Sequence, residues 1–214
     1  MSEFHVRVDH PSAEAQRLLD ELARVATVEP VAVPATRPST TLVLGGARSG
    51  KSRWAEQQFS NEASVDYVAT SEPRPDDPEW WARVEEHRQR RPGHWQTIET
   101  PDLVGLLGAD SRTPMLIDCL TLWLTHQLDH LDAWTQPTDR WRAGLDEAVA
   151  ALVNAVAGTR RHVVLVSNEV GSGVVPSTPS GRVFQDELGR LNAGVAACCD
   201  HVVLCTAGIA QRLK

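Results

Sequence analysis

The amino-acid sequence predicts an α/β domain: a doubly wound, mostly parallel sheet with helices on both faces. Three observations carry this. From Thr41 onward, short and nearly continuous apolar runs alternate with helical stretches, as strands buried on both faces should. The intervening stretches are long enough to be the crossovers that parallel pairing requires. The length of 214 residues suits one such domain with an appendage.

The appendage comes first. Ser12 is placed to cap a helix, and Ala15, Leu18, Leu19, Leu22 and Val25 follow at helical spacing. Pro30, Pro34 and Pro38 then prevent regular helix, so residues 1–38 read as an amphipathic helix and tether, and residues 39–214 as the main domain. Within that domain the apolar runs predict strands over Thr41–Leu44, Val65–Ala69, Met115–Asp118, Val163–Ser167 and Val202–Thr206. Helical patterns fill the gaps near Lys51–Ser60, Pro78–Arg91, Leu120–Leu131, Thr138–Ala157 and Gly181–Cys199.

Composition narrows the function. Net charge is −7 (21 basic against 28 acidic residues), which argues against a duplex nucleic-acid binder and leaves room for a local basic pocket. No apolar run approaches the roughly 18 residues that span a bilayer, and Met1 to His10 lacks the pattern of a secretory signal. Cys119, Cys198, Cys199 and Cys205 have no C-x-x-C spacing and read as buried thiols of a reducing compartment, the cytoplasm.

The chemistry starts at Gly45-Gly46-Ala47-Arg48-Ser49-Gly50-Lys51-Ser52, which satisfies G-x-x-x-x-G-K-[ST], the P-loop. A strand leads in and a helix leaves at Lys51, so backbone N–H groups and a helix N-terminus would surround a phosphate. Lys51 should reach the β- and γ-phosphates, and the Ser52 hydroxyl should ligate Mg²⁺. Asp118, closing the run Met115-Leu116-Ile117, fits the acidic residue that helps hold the metal, although a carboxylate there could also cap the next helix.

A guanine-reading N-K-x-D motif is missing, and Asp102-Leu103-Val104-Gly105 matches D-x-x-G only inside a helical stretch after Pro101. A small-molecule kinase or nucleotidyltransferase remains. In Glu79–Trp95, helical spacing puts Trp80, Val84 and His87 on one stripe, with Arg83, Arg88, Arg90 and Arg91 nearby. A neutral imidazole can attack phosphorus and arginines can stabilise the developing charge, but taken alone this helix reads first as a solvated face. His94, after Pro92-Gly93, reads as a loop residue. Ser167–Pro176 is a glycine-rich loop at the strand end, where Asn168 and Glu169 could contact substrate or order the loop. Arg182 and Arg190 could bind a second phosphate or be solvated.

Taken together, GGARSGKS at 45–52, YVATSE at 67–72, RVEEHRQRRPGHW at 83–95, LIDCLTLW at 116–123, SNEVGSGVVP at 167–176 and GRLN at 189–192 resemble the bifunctional adenosylcobinamide kinase / adenosylcobinamide-phosphate guanylyltransferase family. The resemblance spans about residues 41–214 and implies a P-loop NTPase-like fold. It implies two reactions. ATP or GTP phosphorylates adenosylcobinamide; GTP then guanylylates a histidine, and GMP passes to adenosylcobinamide phosphate, giving adenosyl-GDP-cobinamide. The position matching the family's nucleophile is His87, preceded here by Glu86 where some members carry a second histidine.

By the same matching, Thr70, Ser71 and Glu72 would contact GTP, Arg88, Gln89, Arg90 and Arg91 the guanylyl group or phosphates, and Glu99 and Asp118 would be the acidic nucleotide-site positions. Some members have Glu where this chain has Asp118. The resemblance further implies a homotrimer with sites near subunit borders. Because the kinase step works at the γ-phosphorus and guanylylation at the α-phosphorus, either the helix bearing His87 moves, hinged around 73–95, or GTP rebinds. A single-function P-loop kinase without guanylyl transfer is the alternative, and a non-enzymatic nucleotide-binding module a more distant one.

Overall fold

The computed structural model describes residue 17 and residues 38–60, 62–71, 84–85, 88–89 and 91–214. The chain divides into two units, Met1–Arg37 and Pro38–Lys214. The helix and tether expected over 1–38 therefore lie almost wholly outside the described residues, as do most of the Pro78–Arg91 helix and of the hinge around 73–95.

Seven described strands form one sheet: β1 (Thr40–Gly45), β2 (Asp66–Ala69), β3 (Gln96–Glu99), β4 (Met115–Asp118), β5 (Val163–Asn168), β6 (His201–Thr206) and β7 (Ile209–Arg212). Their order is β3-β2-β4-β5-β1-β6-β7, parallel throughout except for β7, which pairs antiparallel with β6. Five described helices accompany them: α1 (Lys51–Gln57), α2 (Leu103–Gly108), α3 (Leu120–His130), α4 (Thr138–Gly158) and α5 (Pro179–Cys198). The chain leaves β1 to build one half of the sheet and returns to its other side with β6. β1 is thus the switch point, where α/β sheets open a crevice at their C-terminal edge.

The five predicted strands are all present, within one residue of the expected ends. β3 and β7 were not expected, because each lies at an edge with little buried side chain to mark it. β7 follows β6 through Ala207 and Gly208, both at positive φ (52° and 81°), the conformation that a two-residue hairpin needs. α1 stops at Gln57 rather than at Ser60, and Phe59 turns into the core. α5 starts two residues before expectation: the Thr178 hydroxyl accepts from the Gly181 amide at 3.1 Å, and Pro179 fits the first turn, where no amide hydrogen is needed. The Asp102 carboxylate likewise accepts from the Gly105 amide at 2.8 Å, so D-x-x-G is a helix cap, as its place in a helical stretch suggested.

Alternate strand residues feed two cores. Leu42, Ile117 and Leu165 pack with Leu124, Trp141, Leu145, Leu188 and Val195 of the α3, α4 and α5 side, while Val43, Leu116, Val164 and Val166 pack with Ala55, Phe59 and Trp95 on the α1 side. At the opposite, N-terminal edge, Arg161 is only 2 % exposed. Its guanidinium pairs with Asp66 and donates to the Thr113 carbonyl at 2.7 Å. Arg161→Met removes one partner and leaves a largely buried carboxylate without its cation, so it is expected to cost about 3 kcal/mol. Thermal unfolding followed by circular dichroism checks this.

Candidate active site

The site is assembled where β1 ends. Gly45 closes the strand so tightly that a Cβ there would lie 2.6 Å from the Cys205 carbonyl and overlap the Ser49 side chain. The loop then needs left-handed backbone at Arg48 (φ 57°) and Gly50 (φ 95°). At Gly50 a Cβ would also meet the Gly208 Cα at 3.1 Å, so glycine is demanded twice over. Gly208 in turn donates its amide to the Ser49 carbonyl at 2.9 Å, tying the loop to the β6–β7 hairpin.

Gly46, Ala47 and Arg48 are exposed, Gly50 and Ser52 half-buried, and Ser49 is turned inward with its hydroxyl buried. Lys51 arches over the loop, donating from Nζ to the Gly46 carbonyl at 3.1 Å. These eight residues run from the end of β1 through the loop into the first turn of α1.

Register sets the other groups. Gly45 pairs with Asn168 on β5, and Asp118 pairs with Val166 on the same strand, so Asp118 stands at the same sheet end, two strands or about 10 Å across. Asp118 and Glu99 both pair with Ala69, which puts Glu99 another two strands out on the exposed edge. The carboxylates thus line one edge without meeting. Thr70 is turned inward: its hydroxyl donates to the Cys119 carbonyl at 2.6 Å and accepts from the Cys119 amide at 3.1 Å. That pair of bonds clamps the backbone beside Asp118 and leaves the hydroxyl one acceptor site. Ser71 is half-buried and Glu99 exposed.

The sequence reading missed Tyr67. Its O–H donates to Asp118 Oδ2 at 3.2 Å, and the Arg91 guanidinium lies 3.7 Å over its ring while donating to Thr97 Oγ1 at 3.2 Å. Burial and the neighbouring Asp118 charge hold the Tyr67 hydroxyl well above its usual range, Arg91 offsetting part of this, so it stays a donor at neutral pH. YVATSE contains the chain's one tyrosine, but only strand register reveals its partner.

Arg88 and Gln89 are exposed, and Gln89 bonds Glu85 one turn back at 3.0 Å. His94 sits in a turn, as expected, against the Glu62 carbonyl at 3.3 Å. Glu72, His87 and Arg90 lie outside the described residues.

The Ser167–Pro176 loop is held from behind: Thr121 Oγ1 accepts from the Asn168 amide at 2.9 Å, and Asn192 Nδ2 donates to the Asn168 carbonyl at 3.0 Å. Gln185 secures the Val170 carbonyl at 2.8 Å. Both arginines of α5 are exposed, as their solvated reading expects, and each also has a protein partner. Arg182 donates to the Pro176 and Ser177 carbonyls at 2.9 Å, and Arg190 shares the buried Glu187 carboxylate with Arg142.

Cys119 adjoins Asp118, yet its thiol is no nucleophile. Burial, with Asp118 adding to it, pushes it up to about 11 despite the opposing Lys51 charge; burial likewise pushes Cys199 up to about 12. Iodoacetamide at pH 8 is therefore expected to modify neither thiol until the protein is unfolded, which peptide mass spectrometry reads directly. Among the described residues no helix is long and apolar enough to cross a membrane, and no three His, Cys, Asp or Glu side chains cluster as a metal site.

Residues 41–213 match the family model described as cobinamide kinase / cobinamide phosphate guanyltransferase. The bifunctional adenosylcobalamin biosynthesis protein CobP of Pseudomonas aeruginosa is 41% identical over 177 residues, covering 81% of this chain and 96% of its own length. The Escherichia coli protein of the same description, CobU, is 39% identical over 180 residues, covering 81% and 98%. Among solved structures, a prototypical ATPase of a type III secretion system superposes with a TM-score of 0.51 at 12% identity, over 82% of this chain and 58% of that one. That likeness shows the P-loop NTPase fold.

Proposed function

The chain belongs to the cobinamide kinase / cobinamide phosphate guanyltransferase family, and from that premise we propose how its residues divide two reactions at one nucleotide site. The protein phosphorylates adenosylcobinamide from a nucleoside triphosphate and transfers GMP from GTP to the resulting phosphate. The product is adenosyl-GDP-cobinamide.

The observation that carries the division of labour is Lys51, arched over the glycine loop at the sheet end that also bears Asp118. Loop amides and Lys51 bind the triphosphate; in the kinase step Lys51 stabilises charge on the transferring γ-phosphoryl group. Ser52 and Asp118 are the residues that would hold a Mg²⁺ ion. One hydroxyl and one carboxylate suit an ion that takes its remaining oxygens from phosphates and water, and when bound it offsets phosphate charge.

His87 serves the second reaction. Its neutral imidazole nitrogen attacks the α-phosphorus of GTP, a P–N bond forms, and the bond to the bridging oxygen breaks with departure of pyrophosphate. A phosphate oxygen of adenosylcobinamide phosphate then attacks the same phosphorus, the P–N bond breaks, and the histidine is restored. Arg88, Arg90 and Arg91 follow His87 closely in sequence and offset charge on the transferred group; Ser71, Glu72, Gln89 and Glu99 complete the GTP contacts. Thr70 belongs with these GTP contacts and also braces the Cys119 backbone beside Asp118. The proposal includes a homotrimer, as the family resemblance implies, in the cytoplasm, as the free thiols suggest.

The test uses GTP labelled at the α-phosphorus, incubated with protein and a magnesium salt and resolved on a denaturing gel. Label retained on the protein, lost in acid and stable in base, is the expected result. A folded, GTP-binding protein that keeps no label is instead a kinase alone.

A further inference from the structure

We infer that Tyr67 is a positioning residue that ties the Asp118 carboxylate to the Arg91 end of the nucleophile segment. This rests on the site reading above and adds a residue to it. Three observations converge on the ring. Tyr67 lies on the same sheet face as Asp118, on the neighbouring strand, and pairs in register with Leu116, two residues before that carboxylate. A tyrosine only 4 % exposed needs a partner for its hydroxyl, and the partner is Asp118 Oδ2. The opposite contact is Arg91, stacked at 3.7 Å on the ring and bonded to Thr97, which is the register partner of Tyr67 on β3.

One side chain thus touches both the carboxylate that would hold the metal and the arginine that follows His87 by four positions. Fixing Oδ2 limits the orientation of the carboxylate plane, which is how residues behind metal ligands act elsewhere. Stacking on Arg91 fixes where the nucleophile segment rejoins the sheet. A phenylalanine would fill the same volume and keep the stacking while losing only the tie to Asp118. The hydroxyl is therefore the group to test.

Tyr67 is the chain's one tyrosine, so protein grown with tyrosine labelled at Cζ gives a single carbon-13 resonance. That resonance is expected to move when a magnesium salt and a non-hydrolysable GTP analogue are added together, and to stay put in Asp118→Ala. In parallel, Tyr67→Phe is expected to slow attachment of α-labelled GMP about tenfold and to raise the magnesium concentration needed for half-maximal rate, with melting temperature little changed. An unmoved resonance in the wild-type protein overturns the inference. So does Tyr67→Phe protein that labels at the wild-type rate and magnesium dependence. If Tyr67→Phe fails to fold, the resonance decides alone. Absence of label on the wild-type protein would overturn the two-step reading instead, and the resonance would still report whether Tyr67 senses the nucleotide site.

Discussion

Lys51→Met is expected to leave a folded protein that performs neither reaction, with phosphoryl transfer lowered about 10³-fold, roughly 4 kcal/mol of transition-state stabilisation. The side chain is half-exposed and its one described bond is to the Gly46 carbonyl, so it holds no core together. Methionine keeps the length and the helix propensity while removing the charge. Glycine substitutions in the loop would give a less readable loss. Gly50→Ala meets both a positive φ and the Gly208 backbone, and would lower stability along with activity. For Lys51→Met, unchanged thermal unfolding combined with lost phosphorylation of adenosylcobinamide and lost α-label separates binding chemistry from folding. Rates within tenfold of wild type would move the charge-stabilising role to another residue.

What could be read from sequence follows from how local each determinant is. The loop at 45–52 is legible because it works through its own backbone, so the glycines, the lysine and the serine must be adjacent in the chain. Asp118 is legible because it ends a fully buried run. β3 and β7 escaped because an edge strand buries little: three of the four β3 residues and all four of β7 are exposed, leaving no apolar pattern to read. The Ala207-Gly208 turn was the available signal for β7, weaker than Asn-Gly or Asp-Gly.

The missed contacts share another cause. Tyr67 meets Asp118 across 51 positions, and Arg161 meets Asp66 across 95, so both depend on the registers β2–β4 and β4–β5. At α5 the unread part was the partner: Arg142 and the exposed Arg190 answer the buried Glu187 carboxylate, 45 positions from Arg142. Thr70 shows the same thing at closer range, since only the tertiary structure turns its hydroxyl toward Cys119.

His87→Ala should split the two activities: guanylyl transfer lost by about 10⁴-fold or more, and phosphorylation of adenosylcobinamide retained. The kinase step needs the γ-phosphoryl group, the loop and Lys51, with the substrate hydroxyl as nucleophile, so nothing in it requires a second nucleophile on the protein. Guanylylation through a covalent intermediate does, and removing the attacking group takes away the step itself rather than tuning it. His94→Ala is the matched control. That histidine lies seven positions on, in a turn and bonded to the Glu62 carbonyl, and it should label with GMP as the wild type does. Parallel assays of phosphorylation and of α-label on the two variants read the separation. If His94→Ala loses the label and His87→Ala keeps it, the nucleophile has been assigned to the wrong histidine; if His87→Ala loses phosphorylation too, the segment serves the kinase step as well, and the division of labour at one P-loop must be redrawn.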